Sequence, residues 1–196
     1  MKPLSQFFIA GAALAATTSP VWADAPKWAP DYDKSALAFE GLYKNPYGGT
    51  TIVNGAFNAF TAEIAFDPDN LAASAITVAV DMTSLSTNFE ETDKDLPKKT
   101  WFNTAAFAKA TFVSEEIAET GAGAYVANGI LTVKGAAQPV ALPFTLKIDG
   151  ESAAATGEIT LNRTDFGVGE GKAYETDKEV GFEVKVTFTV EATKAP

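Results

Sequence analysis

The segment Val180-Gly-Phe-Glu-Val-Lys-Val-Thr-Phe-Thr-Val190 shows the clearest two-residue periodicity in this chain. Apolar side chains occupy every second position from Val180 to Val190, and polar ones such as Glu183 and Lys185 lie between them. Successive side chains of a β-strand point to opposite faces, so this pattern predicts a strand with one buried and one exposed face. Half-buried strands of this kind are typical of antiparallel sheets.

The same alternation recurs at regular intervals toward the N-terminus. Turn residues such as Asp149-Gly150 separate the segments, and a change of phase between Phe57 and Phe60 predicts a bulge. Pro143 cannot donate to a strand ladder, so we expect it at a bulge or on a free edge. About eight strands are predicted, which indicates an all-β antiparallel barrel or sandwich. The segments are residues 35–43, 53–66, 75–82, 110–117, 125–133, 140–148, 153–161 and 180–190.

Residues 81–112 form the one interior segment in which the alternation stops. The threonine and asparagine at 87–88 can cap a short helix, the glutamates at 90–91 complete a capping box, and Pro97 ends the helix. The Trp-Phe pair at 101–102 follows. A short helical insertion of this kind predicts a lid over one end of a barrel, or a plug into it. An eight-stranded barrel can hold one small ligand, so we favour a ligand-holding barrel, although the pattern alone permits a solid core.

Charge and composition narrow the classes of function. The chain has 25 acidic and 15 basic residues and a net charge of −10, which argues against nucleic acid and anionic membrane surfaces as partners. It contains no histidine and no cysteine. The commonest general base, the commonest metal ligand and thiolate chemistry are therefore missing. We predict a protein that is not an enzyme and has no metal site and no cofactor.

Residues 1–23 have the pattern of a secretory signal peptide. Lys2 supplies a positive start, residues 7–16 an apolar core, and residues 21–23 a small-residue cleavage site. No later stretch approaches the roughly 20 apolar residues of a transmembrane helix, so we expect no stable membrane insertion. The predicted mature domain is 24–196, exported to the periplasm.

Carboxylate pairs and a single arginine are the polar candidates for a site. Asp31, Asp67 and Asp93 each have a second aspartate two residues later. General acid-base catalysis needs two carboxyl groups in different environments facing one cleft, whereas these pairs lie in predicted turns or on a solvated helix. Arg163 could bind an anionic head group at the barrel mouth. We favour the alternative, in which it pairs with a carboxylate such as Asp165 and orders a loop.

A set of short motifs also runs in order through the chain. They are Trp28 with Asp33 and Ser35, Gly55-Ala-Phe57 with Phe60, Ile64-Ala-Phe-Asp-Pro68, Asp81-Met-Thr-Ser-Leu-Ser-Thr87, Asp93 with Leu96, Trp101-Phe-Asn103, Phe107, Ala110-Thr-Phe-Val-Ser114, Gly129-Ile-Leu-Thr-Val-Lys-Gly135, Pro139-Val-Ala-Leu-Pro-Phe144 and Arg163-Thr-Asp-Phe-Gly-Val-Gly169. Each motif is weak alone. Together they resemble the YceI-like family of exported, lipid-binding barrel proteins.

The resemblance implies a lipocalin-like, eight-stranded antiparallel barrel with an apolar tunnel. The implied ligand is a long-chain apolar small molecule, a polyisoprenoid such as a quinone or a prenyl phosphate, which the protein carries or stores. The oligomeric state stays open, a homodimer included. The expected ligand contacts are Phe39, Phe60, Phe66, Val80, Phe89, Leu96, Trp101, Phe102, Phe112, Leu131, Phe144, Phe166 and Phe182.

Two departures from the family pattern bear on the ligand. Thr92-Asp93 stands where the family often has Arg-Asp, and a histidine common after the first strand is absent. Both departures imply a different or more neutral head group.

Two alternatives remain open on the sequence. A hydrolase or isomerase using a carboxylate such as Asp93 or Asp165 would lose turnover when that carboxylate becomes an amide. A structural or stress-response module would have a filled interior in place of a cavity.

Overall fold

The computed structural model describes residues 25–45, 47–172 and 174–196, and the predicted signal peptide lies outside them. Among these residues, ten β-strands form one antiparallel sheet that closes through a pairing of β1 with β10. The strands are β1 (Lys27–Lys44), β2 (Thr50–Phe57), β3 (Phe60–Ala65), β4 (Ala75–Asp81), β5 (Leu85–Thr87), β6 (Lys109–Gly121), β7 (Ala124–Val133), β8 (Ala136–Asp149), β9 (Ser152–Asn162) and β10 (Val180–Lys194). The helical elements are α1 (Glu90–Asp95) and the 3-10 turns Leu71–Ala73, Met82–Ser84 and Arg163–Phe166. No helix in this part of the chain is long and apolar enough to span a bilayer.

The ten strands make an eight-stranded barrel because two of its strands are interrupted. β2 and β3 both lie beside β1 and are separated only by residues 58–59. β4 and β5 likewise form one interrupted strand, in which β4 pairs with β3 and β5 pairs with β2. Between Phe57 and Phe60, where the change of phase predicted a bulge, the structure has a break in the strand. The predicted all-β antiparallel barrel of eight strands is confirmed.

β1 begins eight residues before its predicted start. Trp28 pairs with Lys194 of β10 and with Ile64 of β3, so closure of the barrel recruits the Pro-containing lead into the sheet. The register between β1 and β10 then shifts between Asp31 and Ala36. A bulge of this kind breaks local alternation, which is why the two-residue pattern did not reveal the first part of the strand.

A buried aromatic cluster fills one end of the barrel. Trp28 Nε1 donates to the Phe66 carbonyl at 3.0 Å. Phe66 meets Tyr125 edge-on at 5.2 Å between centroids, and Tyr125 stacks on Phe144 at 5.5 Å. These four side chains are all buried. These rings pack against one another as in an ordinary core at this end of the barrel.

Gly129 of β7 is required by a bulge in β6. The β6–β7 register shifts between Ser114 and Glu116, and a Cβ at Gly129 would lie 2.8 Å from the Ser114 Cα and against the Val113 carbonyl. Backbone cannot rotate aside as a side chain can. We therefore expect Gly129→Ala to lower the free energy of unfolding by about 1–3 kcal/mol in urea titrations.

Gly41 of β1 provides the control for this prediction. Nothing lies within 4 Å of the place its Cβ would take, so Gly41→Ala should change the free energy of unfolding by no more than about 0.5 kcal/mol. Equal losses at the two glycines would show that the β6 bulge does not restrict Gly129.

Candidate ligand-binding cavity

A cavity of about 840 Å³ lies inside the barrel. It extends from the aromatic cluster to the exposed side chains of Tyr43 and Glu179 at the other end. Its wall consists almost entirely of apolar side chains that point inward from the strands. A cavity of this size is within the range of about 300–1,000 Å³ found for small-molecule sites. The interior is therefore not the filled core expected of a purely structural module.

Twelve of the thirteen predicted contact residues line this cavity. The strand residues among them reach it because they lie on the inner face. Phe66 directly follows β3, and the remainder come from the insertion and from the turn after β9. Their contact with a ligand remains a prediction. They are Phe39, Phe60, Phe66, Val80, Phe89, Leu96, Trp101, Phe102, Phe112, Leu131, Phe144 and Phe166.

The structure places the thirteenth residue, Phe182, elsewhere. The pairing of β10 with β1 is Val184 with Gly41 and then Val180 with Tyr43, so extra residues of β10 bulge between these pairs. The Phe182 ring lies in this bulge, with its centroid 5.3 Å from Arg163 Cζ. The alternation that put Phe182 on the inner face fails at the bulge, and the ring packs on a buried cation instead.

Sequence reasoning also missed many wall residues. Most carry the same alternating signal as the predicted ones and could have been found from it. Val168 and Tyr174 lie in the loop after β9, where no periodic signal exists. Strand residues among those missed include Trp28, Leu37, Ile64, Ile76, Val78, Val140, Leu142, Leu146, Ile159, Leu161, Val184, Val186 and Val190.

The helix of the insertion begins later than its capping pattern predicted. Phe89 occupies the N-cap position and makes no side-chain cap bond. Thr87 cannot be the cap because it ends β5, where it pairs with Gly55. Its N–H and hydroxyl both donate to Asp93 Oδ1 at 2.7 Å. Asp93, and not a glutamate at 90–91, therefore closes this turn.

A second segment joins the insertion over the cavity. The Thr100 carbonyl accepts hydrogen bonds from the N–H groups of Gly169 and Glu170, each at 2.9 Å. The rings of Trp101 and Tyr174 lie 4.9 Å apart. We call residues 88–107 and 163–172, together with Tyr174, the cover. The sequence predicted only its first part.

Arg163 fastens the cover from inside. It is 4% exposed, and its Cζ lies 5.7 Å from the Trp101 ring centroid. Burial lowers the pKa of Arg163 below its ordinary value, but a guanidinium remains charged at neutral pH. All five of its N–H groups donate to backbone carbonyls, at 2.8–3.2 Å. The acceptors are Val168, Gly169, Tyr174, Val180 and Gly181.

Arg163 thus has the predicted structural role with a different partner. It orders the loop after β9, as expected, but through carbonyl groups and not through Asp165. A guanidinium has five donors and no acceptor. With all five in use, none remains to bind the head group of a ligand.

The mouth of the cavity carries carboxylates. Glu91, Asp95 and Glu179 are among its lining residues. Lys94 lies 3.1 Å from Glu91 and Lys98 lies 2.5 Å from Asp95, in exposed pairs on the helix and the turn after it. Exposed pairs of this kind are weak and easily screened. The mouth therefore offers no concentrated positive charge to an anionic ligand.

The paired carboxylates have local roles. Asp31 forms an ion pair with Lys34 at 2.8 Å, and the hydrogen bond from Lys34 holds the pKa of Asp31 below its usual value. Asp67 accepts from the N–H of Asp69 at 3.0 Å, which is a turn contact. Among the described residues, no cluster of three or more acidic side chains is placed to hold a metal ion.

The amino-acid sequence is similar to those of known proteins. The family model described as the YceI-like domain matches residues 28–192. A UPF0312 protein of Shewanella oneidensis is 33% identical over 132 residues, which cover 64% of this chain and 69% of the relative. A UPF0312 protein of Vibrio cholerae is 31% identical over 132 residues, with 64% and 70% covered.

Solved structures show the same architecture. The crystal structure of BcnA from Burkholderia cenocepacia superposes with a TM-score of 0.77 at 30% identity, covering 84% of this chain and 99% of BcnA. A polyisoprenoid binding domain from Saccharophagus degradans, implicated in plant cell wall breakdown, superposes with a TM-score of 0.66. It is 12% identical, with 87% of this chain and 99% of that chain covered, and shows the shared fold alone.

Proposed function

This chain belongs to the YceI-like domain family, and from that premise we propose that it binds a long-chain apolar lipid, such as a polyisoprenoid, inside its barrel. The observation that carries the proposal is the cavity of about 840 Å³ with its apolar wall. The polyisoprenoid-binding domain that shares the fold supports the same ligand class. Both observations favour a binding protein over an enzyme.

Burial of the hydrocarbon chain of the lipid is sufficient to drive such binding. Each methylene transferred from water to an apolar site contributes about 0.8 kcal/mol, so a long isoprenoid gains affinity without specific polar contacts. The inward phenylalanines, with Leu131 and Val80, provide this environment along the barrel. The length of the lipid's hydrocarbon chain should therefore affect the affinity more than the chemistry of its head group does.

We propose further that the preferred head group is neutral, as in a quinone. Arg163 has no N–H left for an anionic group, and the mouth carries Glu91, Asp95 and Glu179. A prenyl phosphate would bring a further negative charge to these carboxylates. The departures at Thr92-Asp93 and the missing histidine support the same preference.

The site of action we propose is the periplasm, where the protein would carry or store a lipid too insoluble to cross alone. The support is the signal-peptide pattern of residues 1–23. Fractionation of cells expressing the full chain should recover a form without these residues in the periplasmic fraction. Recovery of the uncleaved chain in the cytoplasm would refute this part of the proposal.

The central experiment identifies what co-purifies with the protein. Native mass spectrometry of protein purified from bacterial cells should show one long-chain lipid per barrel, released by organic extraction. Stripped protein should then bind a quinone more tightly than a prenyl phosphate of equal chain length. Protein that purifies free of lipid and takes up neither ligand would contradict lipid binding.

Phe89 should affect ligand retention more than folding. Its side chain lines the cavity, yet it is 42% exposed, so Phe89→Ser removes apolar ligand contact without emptying a packed core. We expect faster release of a bound quinone and a loss of no more than about 1 kcal/mol in the free energy of unfolding.

Leu96 and Tyr47 provide two comparison variants for the Phe89 prediction. Leu96 also lines the cavity but is buried, so Leu96→Ser should lower stability by about 2–5 kcal/mol as well as retention. Tyr47 is 97% exposed and lies outside the lining, so Tyr47→Ser should change neither quantity. Unchanged release from the Phe89→Ser protein would remove Phe89 from the set of ligand contacts.

A further inference from the structure

β8 and β9 separate along part of the barrel wall. They pair up to Phe144 with Gly157 and no further. β8 nevertheless starts at Ala136 and follows β7 along residues 136–145, while residues 158–162 of β9 pair with β10. Residues 139–143 and 158–162 thus face each other without a described backbone pairing. We call this part of the wall the seam.

Two prolines account for the seam. The N–H of Leu146 donates to the Gly123 carbonyl, on the β7 side of β8. Donors alternate in direction along a strand, so the odd-numbered positions Pro139, Ala141 and Pro143 direct their nitrogens toward β9. The two prolines have no N–H to donate. Only one of these three positions can therefore donate a hydrogen bond to β9. Pro143 lies on the side of β8 where the pairing with β9 ends.

The seam leads to the ligand cavity. A groove of about 390 Å³ lies over it, and four apolar side chains line both this groove and the cavity. Side-chain packing, with no described backbone ladder, separates the two spaces. Gln138 Nε2 bridges the seam at one end by donating to the Asp165 carbonyl at 2.9 Å. The shared residues are Val140, Ile159, Leu161 and Phe166.

We propose that the seam is a lateral entrance through which the apolar chain of the ligand enters and leaves the cavity. This inference rests on the proposed function. Phe166, the residue of the cover that is buried between groove and cavity, must rotate its side chain while the backbone of the cover stays in place. The cover is a poorer route, since Arg163 holds it with five hydrogen bonds. One side-chain hydrogen bond, from Gln138 to Asp165, bridges the seam. Opening the seam therefore breaks fewer hydrogen bonds.

The edge of β8 is poorly suited to an added peptide strand. Strand addition depends on main-chain hydrogen bonds, and between residues 139 and 143 only Ala141 has a donor on this side. An apolar chain needs no such donors. The prolines both open the wall and protect its edge from pairing with other chains.

A cross-link tests the entrance directly. Ala141→Cys with Thr160→Cys places two thiols on the outer side of the seam, since both residues are exposed, line the groove and are opposite when the Phe144–Gly157 register is continued. The chain has no other cysteine, so a short bifunctional thiol reagent can join only this pair. The cross-linked protein should exchange a long-chain quinone about tenfold more slowly in both directions.

The measurement uses the tryptophans of the cavity. Trp28 and Trp101 both line it, so quinone binding and release can be followed by quenching in stopped flow. The affinity should stay within about twofold, because an entrance changes both rates alike. Exchange rates that the cross-link leaves unchanged would overturn the proposal. Absence of quinone binding by the protein before cross-linking would overturn the proposed function and the entrance with it.

The matched control joins the same two strands where they are paired. The hydroxyls of Thr145 and Thr156 lie 3.0 Å apart on the outer face. The cross-linked Thr145→Cys/Thr156→Cys protein should exchange quinone at the rate of the unmodified protein. Equal slowing by both cross-links would assign the effect to general stiffening and would overturn the entrance.

A second variant needs no reagent. Pro139→Thr with Pro143→Thr restores two donors toward β9, so the ladder can extend beyond Phe144. We expect new hydrogen-exchange protection in residues 158–162 and quinone exchange slowed by about threefold or more. If hydrogen exchange shows that the seam has closed while the rates of quinone binding and release are unchanged, the proposal is overturned.

Discussion

Replacement of Arg163 by methionine is expected to lower the free energy of unfolding by at least about 3 kcal/mol. Methionine keeps much of the apolar stem but leaves five backbone carbonyls without their donor. The melting temperature should fall by about 6–12 °C, since each kcal/mol is worth about 2–4 °C in a domain of this size. Unfolding in urea, followed by circular dichroism, measures the loss.

The same substitution should loosen the cover. The N–H groups of Gly169 and Glu170 donate to the Thr100 carbonyl, and their protection against hydrogen exchange should fall because Arg163 positions this loop. Arg163→Lys should recover only part of the stability, since an ammonium has three donors and cannot reach five acceptors. Lost quinone binding with unchanged stability would instead make Arg163 a ligand contact.

Lys185 is the matched control for charge removal. It pairs with Glu40 at 2.8 Å on the surface, with side chains 40% and 45% exposed. Solvent screens such a pair, so Lys185→Met should cost less than about 1 kcal/mol. Similar losses for Lys185→Met and Arg163→Met would show that charge alone, and not the buried carbonyl network, explains the effect.

Ala62→Trp is expected to weaken binding of a long-chain quinone by about a hundredfold while the protein stays folded. Ala62 lies on the inner face of β3 and lines the cavity. An indole there occupies space proposed for the ligand chain. Displacing three to four methylenes at about 0.8 kcal/mol each corresponds to this loss. Fluorescence titration gives the affinity, and thermal unfolding confirms the fold.

Glu63→Trp is the control because it places the same side chain on the opposite face of the same strand. Glu63 is exposed and lies outside the lining, so the affinity for quinone should be unchanged. Binding that survives Ala62→Trp at full strength would show that the ligand does not occupy the middle of the barrel.

The sequence predicted inner-face residues well where strands are regular. Alternation is a local property of the strand, so Phe39, Phe112 and Phe144 could be assigned without knowing what each strand pairs with. Alternation does not hold at Phe182. Whether a strand bulges depends on how the sheet closes, and the shift between the β1 and β10 registers is not visible in either strand alone.

Competition between elements decided the details of the cover. The capping pattern at 87–88 is a valid local signal, but Thr87 is already committed to β5, so Asp93 closes the turn and the helix starts later. The second part of the cover, from Arg163 onward, has no periodicity. Its structure is held by the buried guanidinium of Arg163, which donates hydrogen bonds to its carbonyl groups.

By itself, the amino-acid sequence determined the all-β antiparallel class, the irregularity between Phe57 and Phe60, and the apolar character of the interior, because side-chain polarity at every second position is a local quantity. Only the tertiary structure decided that the interior holds a cavity, that Arg163 binds carbonyl groups, and that the pairing of β8 with β9 ends at Phe144. These features depend on which distant segments meet when β1 pairs with β10, and on the space that closure leaves between them.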